Sequence, residues 1–74
     1  MSFKDHEQRL MTITTIGIET KALIFDERTH EVRSSDDPIT EKLFYARAFQ
    51  AWADGKVEGT ADEIFDAIQE ALEV

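Results

Sequence analysis

Residues 38–54, PITEKLFYARAFQAWAD, decide the fold. They hold Phe44, Tyr45, Phe49 and Trp52, four of the seven aromatic residues in the 74-residue chain. Asp36 or Asp37 supplies an N-cap, and Pro38 sits in the first turn, where its missing N–H costs nothing. Gly55 follows as the expected C′ residue. The stretch therefore predicts a four-turn helix. One face carries Ile39, Leu43, Ala46, Phe49 and Ala53. Phe44, Tyr45, Ala48, Ala51 and Trp52 continue the apolar surface most of the way round. A helix apolar on nearly every side must be covered on more than one. A sheet on one side and a second helix on another are the covers this chain offers.

The second helix follows the connection Lys56-Val57-Glu58-Gly59. Thr60 and Glu63 form a Thr-x-x-Glu capping box that opens it, and it runs to about Glu73. Ala61, Ile64, Phe65, Ile68 and Leu72 make an apolar stripe at helical spacing. Phe49 and Phe65 are expected to meet between the two helices. The other side carries Asp62, Asp66, Glu70 and Glu73, with no lysine or arginine interleaved. Like charges four residues apart cost a few tenths of a kcal/mol per pair. The helix dipole favours Asp62 and Glu63 at the N-terminus but disfavours Glu70 and Glu73 at the other end.

Upstream the pattern changes. Thr12–Ile18, TITTIGI, is β-branched and predicts a strand, with Gly17 marking a bulge or a close approach of another segment. Thr20–Phe25 continues in the same style, as one long bent strand with it or as a second strand. Asp26-Glu27-Arg28-Thr29 reads as a four-residue hairpin connection into His30–Arg33. Ahead of these, Ser2 can cap a short helix to Leu10 in which Phe3 and Leu10 share a face, or residues 1–10 are a frayed tail. Met11 also resembles a second start site. The expected fold class is α+β, in one domain spanning residues 1–74. A two- or three-stranded antiparallel sheet precedes two antiparallel helices packed on one face.

Composition narrows function. An apolar fraction of 42% with 32% charged residues belongs to a folded globular domain rather than a disordered one. The absence of cysteine excludes disulfides, thiolate metal sites and cysteine nucleophiles. The N-terminal MSFKDHEQRL is charged throughout, unlike a signal peptide, and no apolar run approaches a membrane span. A cytoplasmic location is expected, or a host cytoplasm if the protein is viral.

The net charge is −8. Residues 1–35 hold five basic and six acidic residues, whereas residues 36–74 hold three basic and ten acidic, a net of −7. Such a surface repels nucleic-acid backbones and anionic membranes, so direct binding to either is not expected. His6 and His30 are the only histidines. His30 lies near Asp26 and Glu27 in a turn, where a solvated side chain is the ordinary state. The carboxylates do not follow an EF-hand spacing, and no phosphate loop or nucleophile elbow occurs. No catalytic residue, cofactor or metal is assigned.

The residues point to a non-enzymatic protein-interaction module. Asp62, Asp66, Glu70 and Glu73, with the aromatics Phe44, Tyr45 and Trp52, are its candidate partner-binding residues, facing a protein with a basic surface. In its strongest form this is an inhibitor that occupies the nucleic-acid site of a DNA- or RNA-binding machine. Small acidic phage proteins, including anti-CRISPR and other DNA-mimic inhibitors, are similar in size and charge, although no motif is shared. The alternative is an assembly subunit that self-associates, for example as a homodimer, through the aromatic helix 38–54.

Overall fold

The computed structural model describes residues 3–73, with side chains from Asp5 onward, so Ser2 as a cap lies outside the described residues. The element order is α1 Phe3–Glu19, β1 Leu23–Asp26, β2 Glu31–Ser34, α2 Pro38–Ala53 and α3 Ala61–Leu72. The fold class is α+β, with a two-stranded antiparallel sheet and three helices.

The main correction concerns Thr12–Ile18, which is helix and not strand. The short helix expected before Leu10 continues without a break to Glu19. Intrinsic propensity disfavours β-branched residues in helices by only tenths of a kcal/mol each, and burial at helical spacing outweighs that. Arg9, Ile13, Gly17 and Thr20 are buried, at steps of four, four and three residues, while Met11, Thr15 and Ile18 lie outside. The threonines are accommodated by back-bonding. Thr12 Oγ1 donates to the Gln8 carbonyl at 3.0 Å, and Thr15 Oγ1 to the Met11 carbonyl at 2.9 Å. The helix ends where Lys21 adopts φ 67°.

The sheet is the hairpin alone. Leu23 pairs with Ser34, Ile24 with Arg33, Phe25 with Val32 and Asp26 with Glu31. Its connection has four residues, as expected, but spans Glu27–His30, one position later than residues 26–29. Asp26 remains in the ladder while its Oδ1 accepts the Arg28 N–H at 2.9 Å, and His30 at φ 60° completes the reversal.

Both later helices start as their sequences predict. Asp37 Oδ1 accepts the Ile39 N–H at 3.0 Å with Pro38 in the first turn. At the other end of α2, the Gly55 N–H reaches the Trp52 carbonyl at 3.0 Å and the Lys56 N–H the Ala51 carbonyl at 2.9 Å. That pair of bonds is a Schellman termination. The Thr60–Glu63 capping box is complete in both directions.

The core comprises Ile13, Ala22, Leu23, Phe44, Ala48, Val57, Ile64, Ala67, Ile68 and Ala71. It sits where α1 meets α3, α2 and β1, so α1 carries the sheet, rather than the α2–α3 pair. Gly17 provides the closest approach. A Cβ there would lie 2.6 Å from Leu23 Cδ1 and 2.9 Å from Phe44 Cζ, so the missing side chain is the notch into which both pack. The close-approach reading of Gly17 holds, and the bulge does not.

Two helical faces also differ from expectation. On α2 the buried residues are Phe44 and Ala48, while Ile39 is 78% exposed and Leu43 41% exposed. On α3 the inner face is Ile64, Ala67, Ile68 and Ala71, leaving Phe65 43% exposed. On α3 Ala67 and Ala71 take the inner face that Phe65 was expected to hold, because alanine admits a neighbouring helix more closely; on α2 the face is turned so that Phe44 and Ala48 point inward instead of Ile39 and Leu43. Among the described residues no helix is long and apolar enough to cross a membrane.

Candidate interaction surface

The outer face of α3 follows from its inner one. Burying Ile64, Ala67, Ile68 and Ala71 turns Asp62, Asp66, Glu70 and Glu73 to solvent, and all four are exposed. Successive members of the Asp62, Asp66, Glu70 row rise about 6 Å along the axis. Glu70 Oε2 lies 3.4 Å from His6 Nε2, both side chains being half exposed. Among the described residues, Asp62, Asp66 and Glu73 have no cationic side chain at ion-pair distance.

Glu63, beside this row, is spent on structure. Its Oε1 accepts the Thr60 N–H at 2.9 Å, and its Oε2 lies 3.4 Å from Arg9 Nη2. The Thr60 backbone N–H, followed by the Arg9 guanidinium and the Thr60 hydroxyl, holds this carboxyl below its usual range against a smaller opposing effect of desolvation.

The three aromatic candidates separate. Phe44 is 0% exposed and belongs to the core, so no partner reaches it in this fold. Tyr45 is half-buried, with ring centroids 6.5 Å from Phe44 and 5.7 Å from Phe65. Trp52 is also half-buried. Its Nε1–H donates to the Gly59 carbonyl at 2.7 Å, and its ring meets Phe49 edge-on at 6.2 Å. Trp52 therefore fastens the connection between α2 and α3.

Phe65 takes the position Phe44 was expected to hold. It is exposed, stacks at a tilt on Tyr45, and sits one residue from Asp66 and three from Asp62. An exposed aromatic beside an exposed acidic row is the composition of an anchor with a charged rim. Sequence reasoning placed Phe65 inside because its spacing fits the stripe. The competing signal was the pair Ala67 and Ala71, which occupies the inner face instead.

Arg9 went unnoticed in the sequence, where it looks like any charged residue in a polar N-terminus. It is 7% exposed and reaches across the fold to donate from Nε to the Glu58 carbonyl at 2.7 Å. Gly59 makes room for it, since a Cβ there would lie 2.7 Å from Arg9 Nε, and at φ 137° the position is strained for any other residue. Arg9 and Trp52 together grip the successive carbonyls of Glu58 and Gly59 from α1 and α2. That grip fixes the start of α3 and hence the direction of its acidic face.

An open groove of about 370 Å³ runs alongside, between Gln8, Arg9 and Thr12 of α1 and the Gly55–Gly59 connection. A second, of about 620 Å³, lies between α1 and α2 and is lined by Ile16, Leu43, Arg47 and Lys56 among others. No histidine lines either.

No protein-family model matches this chain, and no curated protein or solved structure shows significant similarity to it.

Proposed function

We propose that the chain is a non-enzymatic protein-interaction module that docks the outer face of α3 on a basic protein surface. In the specific form of this reading it is a small inhibitor that stands in for nucleic acid on a DNA- or RNA-binding partner, in the cytoplasm or in that of an infected host. One observation carries it. Asp62, Asp66 and Glu73 are exposed on one side of a helix whose other side is fully used by the core, and no lysine or arginine among the described residues neutralises them. Fixed negative charge of this kind steers a basic partner into contact and discriminates against acidic ones. Phe65, with the edge of Tyr45, supplies the apolar contact that charge alone does not. The test is competition. A partner retained from a host lysate on the immobilised chain should be released by duplex DNA or RNA and should bind nucleic acid less well when the chain is present. A partner that binds nucleic acid and this chain simultaneously would reject the inhibitor form.

The second reading is an assembly subunit built on residues 38–54. Its support is the exposure of Ile39 and Leu43, which lie four residues apart on the outside of α2. The aromatic residues do not form that surface, since Phe44 faces inward and Trp52 is engaged with Gly59. Loss of self-association in a Leu43→Lys variant would support this reading, and unchanged behaviour would remove it.

A further inference from the structure

The outer edge of β2 is self-complementary, and we propose that it pairs antiparallel with β2 of a second copy of this chain. Just beyond the strands, the Ser35 N–H donates to the Ala22 carbonyl at 2.9 Å. Pairs that exchange hydrogen bonds alternate along an antiparallel ladder with pairs that do not. Counted from Ala22–Ser35, the exchanging pairs are Ile24–Arg33 and Asp26–Glu31. The amides and carbonyls of Val32 and Ser34 therefore point away from β1. The sheet has only these two strands and α1 packs on the β1 side, so among the described residues no strand pairs with that far edge. An open edge is a template for another strand.

The sequence of β2 selects the strand. Around a two-fold axis through Val32, the outward N–H and C=O of Val32 meet those of Val32 in the second copy. Glu31 then stands opposite Arg33 of the second copy, and Arg33 opposite its Glu31. Both pairs lie on the outer face of the sheet, and both side chains are exposed in one copy. A closed two-fold contact repeats every favourable pair, so one acid–base match becomes two. On the other face, the register continues the row Phe25, Val32 across the axis as Val32, Phe25. The two Val32 side chains, each half-buried in a single copy, meet across that axis. The charge of the hairpin permits the approach. Lys21, Arg28 and Arg33 balance Asp26, Glu27 and Glu31, whereas residues 36–74 carry the net negative charge that holds two copies apart elsewhere. This inference is independent of docking by α3.

Sedimentation equilibrium up to about the millimolar range tests it. Wild type should show a concentration-dependent dimer. Glu31→Arg and Arg33→Glu each turn two attractive pairs into two repulsive ones and should raise the dissociation constant about tenfold or more. The double variant E31R/R33E restores the matches and should return within about twofold of wild type. Circular dichroism confirms that each variant is folded, which is expected because both positions are exposed. A wild type monomeric throughout, a dimer indifferent to either reversal, a double variant that fails to recover, or dimerisation abolished by Leu43→Lys would each overturn the proposal.

Discussion

Arg9 Nε donates to the Glu58 carbonyl oxygen at 2.7 Å, joining residues 49 apart in the chain. The same guanidinium lies 3.4 Å from Glu63, so one buried side chain ties α1 to the α2–α3 connection and to the first turn of α3. Replacing it with methionine keeps the aliphatic stem but leaves the Glu58 carbonyl without its donor. Hydrogen bonds to charged groups contribute about 1.5–3 kcal/mol. Arg9→Met should lower Tm by about 10 °C in thermal unfolding. An unchanged Tm would mean that the grip on Glu58–Gly59 contributes nothing to stability.

Gly17 allows a prediction of sign. In an ordinary helix interior, glycine to alanine stabilises by about 1 kcal/mol. Here the added Cβ meets Leu23 Cδ1 at 2.6 Å and Phe44 Cζ at 2.9 Å, the latter on a fully buried ring. Gly17→Ala should therefore destabilise, by about 1–3 kcal/mol as overpacking does. Chemical denaturation measures it, and a stabilised variant would place Leu23 and Phe44 elsewhere.

Phe44 and Phe65 should respond differently to truncation. Phe44→Ala empties a fully buried site and should cost about 3–5 kcal/mol, which approaches the whole stability of a domain this small. Phe65→Ala removes a ring that is nearly half in water and should cost about 1 kcal/mol. Equal losses in denaturant titrations would return Phe65 to the core and take the apolar anchor away from the acidic face.

The α3 cap carries a pH signature. The Glu63 carboxyl titrates below its usual range, chiefly because the ionised form accepts the Thr60 N–H. A folded-state value below the unfolded one adds stability that is present above the unfolded pKa. That stability disappears as pH falls through the lowered value. Glu63→Gln should therefore flatten the fall in Tm between about pH 5 and pH 2, relative to wild type. Thr60→Ala should cost about 1 kcal/mol at neutral pH. A Glu63→Gln acid limb as steep as wild type would assign that dependence to other carboxylates.

The parts of the fold legible in the sequence were those set by local chemistry. Asp37 with Pro38, the Thr60–Glu63 box and Gly55 marked helix ends that involve only neighbouring residues, and all three are present. Thr12–Ile18 reads as strand because its β-branched composition is a local preference, whereas its helical state comes from contacts with other elements. The spacing of Ile13 and Ile16 was the available counter-signal. The orientations of α2 and α3 are likewise set by contacts with other elements. On α3 hydrophobicity ranks Phe65 above Ala67, but the inner face takes the alanines that let a helix approach; on α2 Phe44 rather than Leu43 is the large residue that faces inward. The acidic face is legible all the same, because Asp62, Asp66 and Glu70 point outward whether Phe65 or Ala67 faces the core. Arg9 had no sequence signal, since a buried arginine is recognised only by its distant acceptor.

Docking through the outer face of α3 is tested most directly by association kinetics with a retained partner. Asp66 and Glu70 are exposed, and the histidine beside Glu70 is itself half-exposed, so reversing both to lysine leaves the core untouched. Electrostatic steering acts on the association rate and is screened by salt. The D66K/E70K variant should bind about tenfold or more slowly than wild type at low salt, with the two rates converging at high salt and Tm unchanged. Equal association rates at low salt would contradict docking by the acidic face.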